Sequence, residues 1–69
     1  MEKNIKIKDE YIKLDSLLKF TGIASTGGHA KMLIFDGLVS VNGEICLQRG
    51  KKIKIGDKVE TEGFVLIIE

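Results

Sequence analysis

Polar and apolar residues alternate at Asn4-Ile5-Lys6-Ile7-Lys8, the period of a half-buried strand, so a strand is predicted over 4–8. Asp9-Glu10 reads as a turn. From Ile12 the period changes: Leu14, Leu17, Leu18 and Thr21 fall at i, i+3, i+4 and i+7, one stripe of a helix over 12–21. Gly22 stands where a helix C-terminal glycine is expected. Ser25 or Thr26 can cap a second helix, because either hydroxyl accepts an orphan backbone N–H. Ala30, Leu33 and Ile34 form its buried stripe, Met32 and Phe35 flank it, and Gly37 is its stop. The short connection Gly22–Ser25 folds the two helices into a hairpin-like pair.

Short strands follow. Leu38-Val39-Ser40-Val41 runs into Asn42-Gly43, a hairpin turn whose two residues tolerate positive φ, and Glu44-Ile45-Cys46 returns. Lys52-Ile53-Lys54-Ile55 alternates again and is closed by Gly56-Asp57. Lys58-Val59-Glu60-Thr61 continues as strand, and Glu62-Gly63 turns into Phe64–Ile68, an apolar run expected deep in the sheet. The pattern predicts an α+β domain: a two-helix pair packed on a small, mainly antiparallel sheet of four to five short strands. No repeat, low-complexity tract or proline interrupts the chain.

Length and composition narrow the functions. A chain of 69 residues forms one domain, 1–69, with a total stability on the order of 3–10 kcal/mol. Most side chains are needed for its core, which argues against a large internal cavity. No apolar run approaches the length of a membrane span or a secretory signal core, and the single Cys46 has no partner for an internal disulfide. A monomer in a reducing cytoplasm is the expectation. The overall charge of +1 hides an asymmetry. Between residues 11 and 58, Lys13, Lys19, Lys31, Arg49, Lys51, Lys52, Lys54 and Lys58 outnumber Asp15, Asp36, Glu44 and Asp57, whereas the last eleven residues carry only Glu60, Glu62 and Glu69. A polyanion would meet the middle of the chain.

The most informative segment is Ser25-Thr26-Gly27-Gly28-His29-Ala30-Lys31. Two glycines just inside a helix start have poor helix propensity, so something else favours them. Either they allow tight helix packing, or they let an anion reach the free N–H donors of the first turn, with Lys31 adding a full charge. His29 is read as an exposed first-turn residue that helps a phosphate contact when protonated. Gly22-Ile23-Ala24-Ser25-Thr26-Gly27 has the glycine spacing of a P-loop, but Gly28 stands where lysine is required. Ser25, His29 and Asp15 or Asp36 lack the elbow and cleft of a hydrolase, and no metal-ligand spacing is present, so no catalysis and no cofactor are expected. Arg49-Gly50-Lys51-Lys52 is either a solvated turn or the continuation of a basic surface with Lys13, Lys19 and Lys31. Tyr11, Phe20, Phe35 and Phe64 do not interleave with basic residues along one strand, so backbone readout is favoured over base stacking. Phe20 is either a core-edge residue or a stacking contact.

Several of these residues together resemble a known family. Lys13-Leu14-Asp15-x-x-Leu18, Gly22-Ile23-Ala24-Ser25-Thr26, Ala30-Lys31-x-x-Ile34-x-x-Gly37-x-Val39-x-Val41-Asn42-Gly43 and Gly56-Asp57 before Val59 look like the RNA-binding domain of ribosomal small-subunit protein S-four, the alpha-L motif. The likeness covers about residues 12–60, with the strands 4–8 and 64–68 added to the sheet. It looks closest to the small stand-alone bacterial proteins of that superfamily. It implies a non-catalytic protein that binds structured RNA, ribosomal or transfer RNA-like, with the ribosome as a partner. Carried over by position, Lys13 and Thr26 meet phosphate, Lys31 matches a basic helix position, and Asn42-Gly43 edges the RNA surface. Asp15, Lys19, Gly27, Gly28, His29, Arg49, Lys51 and Lys52 complete the candidate surface. Many members carry arginine where this chain has Gly27; the resemblance then implies either that Arg49, Lys51 and Lys52 supply the charge, or that affinity is lower and the ligand differs. The alternative reading is a protein-interaction module with no nucleic-acid ligand. A sulfur carrier of this size would end in Gly-Gly, unlike Leu66-Ile67-Ile68-Glu69.

Overall fold

The computed structural model describes residues 1–69. In chain order the elements are β1 (Glu2–Ile5), β2 (Tyr11–Lys13), α1 (Leu14–Phe20), α2 (Gly27–Phe35), β3 (Val39–Val41), β4 (Glu44–Ile45), β5 (Lys52–Lys54), β6 (Lys58–Thr61) and β7 (Phe64–Ile68). The α+β class holds, with the two helices packed on each other and on a five-stranded sheet of order β1-β7-β6-β3-β4. The sheet is antiparallel except for β1 on β7, where Glu2 faces Val65 and Ile5 faces Ile68 in parallel register. β7 lies between β1 and β6, and its five apolar residues are all buried or half-buried.

One face of the sheet meets the helices. Val39 and Val41 of β3, Val59 of β6, and Leu66 and Ile68 of β7 are buried there against Leu14, Leu17 and Leu18 of α1 and Ala30, Leu33 and Ile34 of α2. Each such side chain contributes about 1.5–3 kcal/mol by leaving water. Leu14, Leu17, Leu18, Ala30, Leu33 and Ile34 are the positions that the helical period marked as inward. The other face of the sheet carries Ser40, Lys58 and Glu60.

Two starting points and one sheet assignment differ from those the alternation suggested. β1 spans Glu2–Ile5 rather than 4–8; beyond it only the Ile7 N–H continues the pairing, donating to the Glu69 carbonyl at 3.0 Å. α1 begins at Leu14, not at Ile12, because Ile12 pairs with Ile53 in a second, two-stranded antiparallel sheet, β2 on β5. The strand predicted over 52–55 therefore leaves the main sheet. No side chain caps α1. Its first N–H groups are satisfied by the loop after β4: Leu14 donates to the Lys51 carbonyl at 2.9 Å and Asp15 to the Arg49 carbonyl at 3.0 Å. The loop Arg49–Lys51 is thereby pinned across the start of α1.

Candidate nucleic-acid interface

The β2–β5 ribbon has two unlike faces. Ile12 and Ile53 point inward, Ile53 fully buried. The alternation puts Tyr11, Lys13, Lys52 and Lys54 on the outer face. In the register Lys13 stands directly opposite Lys52, and Tyr11 opposite Lys54. Like charges in directly opposed positions destabilise an antiparallel pair. No carboxylate relieves them, since the chain's one ion pair is Lys58–Glu60 at 3.9 Å. The Lys52 Nζ instead lies 4.9 Å from the centroid of the Tyr11 ring. Arg49 and Lys51 extend from the pinned loop alongside, both exposed.

A second cationic group forms at the start of α2. Thr26 is its N-cap, accepting the His29 N–H at 3.0 Å. The Gly27 and Gly28 N–H groups, both exposed, find no acceptor within the chain. A Cβ built on either glycine meets nothing closer than 3.8 Å, so neither is required for helix packing; that explanation of the pair falls. Lys19 crosses from α1 to this turn, its Cδ 3.9 Å from where a Gly27 Cβ would stand. Lys31 lies one helical turn beyond Gly27 on the same face, with its Nζ 5.8 Å from the Phe35 ring centroid. His29 is half-buried and turned back on the loop, its Nδ1 accepting the Ser25 N–H at 3.2 Å.

The candidate residues therefore gather in two groups joined by α1. Lys13, Asp15, Arg49, Lys51 and Lys52 surround its beginning; Lys19, Thr26, Gly27, Gly28, His29 and Lys31 meet at its end. Seven residues of helix set the groups about 10 Å apart. Asp15 and Lys19, four apart, share one flank of α1, and the Asp15 carboxylate accepts the Ser16 N–H at 2.7 Å. Tyr11 and Lys54 join the candidate surface through the ribbon. Their signal was present in Tyr11-x-Lys13 and Lys52-x-Lys54, but only the pairing of the two segments turns it into one surface.

A family model for the S4 domain matches residues 5–69. The chain belongs to the S4 domain family. It is also 41% identical over 64 residues to the probable ribosome maturation protein RlbA of Bacillus subtilis (strain 168), a match covering 93% of this chain and 90% of that protein.

In this S4 domain the signature Val39-x-Val41-Asn42-Gly43 and the later Gly56-Asp57 are physically one feature. Asn42 and Gly43 have φ of +52° and +88°, the two left-handed residues of a type I′ turn. The Asn42 amide donates through Nδ2 to Asp57 Oδ1 at 3.0 Å, and its Oδ1 accepts the Lys58 N–H at 2.9 Å. Asp57 Oδ2 accepts the Lys54 N–H at 2.8 Å. Both ends of the amide are thus engaged inside the protein. Partial burial pushes the Asp57 carboxyl up, but the Lys54 N–H, the Asn42 amide and the positive charges of Lys54 and Lys51 together outweigh it and hold it below the usual carboxylate value. The tie locks the end of the basic ribbon to the hairpin turn. Glu62 sits at the other end of β6, about four strand residues or 13 Å away, so the acidic turn lies apart from the cationic end. No helix is long and apolar enough to cross a membrane. No cluster of His, Cys, Asp or Glu is placed to hold a metal ion.

Proposed function

We propose that this S4 domain binds structured RNA, ribosomal or transfer RNA-like, through backbone phosphates, as a monomeric, non-catalytic cytoplasmic protein that acts in ribosome maturation. The observation that carries the reading is the opposition of Lys13 and Lys52 on the outer face of the ribbon, with Lys54 beside them and no carboxylate in ion-pair contact with Lys13 or Lys52. An arrangement that is unfavourable in the free protein becomes favourable against a line of phosphates. The pinned loop adds Arg49 and Lys51. The start of α2 adds Lys19, Lys31 and the free Gly27 and Gly28 N–H groups, so the departure at Gly27 is met by neighbouring charge. Family membership and the ribosome-maturation name of the Bacillus relative support the same direction.

The test is RNA binding across a salt series. Four to six phosphate contacts give a logarithmic slope of roughly −3 to −5. The double variant Lys13→Ala/Lys52→Ala flattens that slope by about 2, and Lys31→Ala by about 1. The folded state of the double variant changes little, because the relieved repulsion and the lost Lys52–Tyr11 contact offset each other. Binding to ribosomal RNA hairpins that ignores both salt and these substitutions overturns the reading.

A protein-docking role has one observation behind it: Met32, Phe35, Leu38, Ile45 and Leu47 are exposed apolar side chains. Retention on ribosomal particles after ribonuclease treatment would favour it.

A further inference from the structure

A cleft of about 320 Å³ opens between the β1–β2 connection and the end of α1. It is lined by Lys6, Ile7, Lys8, Asp9, Tyr11, Ile12 and Phe20. Phe20 is 69% exposed although it belongs to a helix whose other apolar residues are fully buried. Four residues after Ser16, it stands on the flank of α1 across from Asp15 and Lys19. Tyr11, on the same wall, is 38% exposed and has Lys52 against its ring, so Phe20 is the aromatic surface left open. Lys6 and Lys8 stand on the rim, and Asp9 is the one carboxylate there, leaving the cleft cationic.

An exposed aromatic ring in a cationic cleft, continuous through Tyr11 and Lys52 with the basic ribbon, matches one ligand chemistry: a nucleobase outside the duplex stack, with its own phosphates beside lysines. We infer that this cleft captures a single unstacked nucleotide of the bound RNA, its base stacked on Phe20 and its flanking phosphates held by Lys6 and Lys8. The inference rests on the RNA-binding reading and adds to it. The ribbon and the α2 start hold helical backbone without regard to base, whereas the cleft selects RNA carrying a bulged or looped-out residue.

Two RNA hairpins separate the two ideas, one fully paired and one with a single-adenosine bulge in an otherwise identical stem. The full chain binds the bulged hairpin about tenfold more tightly. Phe20→Ala abolishes that preference and leaves affinity for the paired hairpin unchanged; Lys6→Ala/Lys8→Ala reduces it. Tyr11 is the only tyrosine and the chain has no tryptophan, so intrinsic fluorescence reports its ring, which the cleft shares with Lys52 of the ribbon. Both hairpins change it, the bulged one further, and that excess is lost in Phe20→Ala. Equal affinity for the two hairpins, or a preference that survives Phe20→Ala, overturns the cleft and leaves the phosphate surface standing. Failure to bind either hairpin overturns both. Phe20 is on the surface, and an unchanged circular dichroism spectrum and melting temperature confirm that the variant is folded.

Discussion

The amide of Asn42 and the carboxylate of Asp57, fifteen residues apart, are joined at 3.0 Å across the end of the sheet. With the Lys58 and Lys54 N–H groups as further donors, this pair holds the β3–β4 hairpin, the turn at 56–57 and the end of β5 as one unit. Asn42→Ala removes both side-chain bonds and places alanine at a φ of +52°. A loss of about 2 kcal/mol in urea unfolding is expected, with an unchanged denaturant slope. Asn42→Gly loses the bonds but keeps the backbone relaxed and falls between the two.

The same carboxylate gives the protein an acid limb. The folded Asp57 titrates below its unfolded value, so between those two pH values the unfolded chain holds the extra proton. Its stabilising effect is complete above about pH 4, the unfolded value, and disappears as the pH falls through the folded one. Unfolding followed from pH 7 to pH 2 should show this loss in the native protein. Asp57→Asn, which cannot titrate, should be less stable at pH 7 and show a shallower acid decline. A variant with the same acid decline as the native protein would remove Asp57 as its source.

Much of this architecture was legible in the chain, and the reason lies in local period and turn chemistry. Leu14, Leu17 and Leu18, then Ala30, Leu33 and Ile34, fall at helical spacing and are buried as that spacing requires. Asn42-Gly43 announces its turn because few residue pairs accept two positive φ values. What local pattern could not deliver is register between distant segments. Ile12 directly precedes the helical stripe without belonging to it, and only its pairing with Ile53, forty-one positions later, places it in a strand. The opposed lysines, the place of Tyr11 and the bond from Asn42 to Asp57 all follow from pairings of that kind. Phe20 was open for the same reason, since its burial depends on where the β1–β2 connection passes.

Thr61 is 4% exposed on the helix-facing side of β6, between Val39 and Phe64 in the cross-strand register, and its hydroxyl has no hydrogen-bond partner. A buried orphan hydroxyl costs about 1–3 kcal/mol relative to a satisfied one. Thr61→Val keeps the shape and removes the polar atom. Stability should rise by about 1 kcal/mol, read as an increase in melting temperature, while RNA affinity stays the same because the residue lies within the core.

Gly27 and Gly28 separate a structural purpose from a binding one. If the glycines served only the fold, replacing them would weaken it. The structure argues the reverse: an added Cβ meets nothing closer than 3.8 Å, and no left-handed φ is required at either residue. Alanine also has the better helix propensity, by up to about 1 kcal/mol per position in a helix interior and less in a first turn. Gly27→Ala/Gly28→Ala should therefore leave the free protein equally or more stable. On an RNA backbone the two added methyl groups stand beside the unpaired N–H donors and hold a phosphate away from them, while Lys19 and Lys31 keep their charge. Affinity should fall several-fold, and the salt slope should change less than it does on removal of a lysine, because donors rather than charges have been obstructed. A double variant that binds like the native protein would show that the α2 start lies outside the contact and leave the ribbon and its loop to hold the RNA alone.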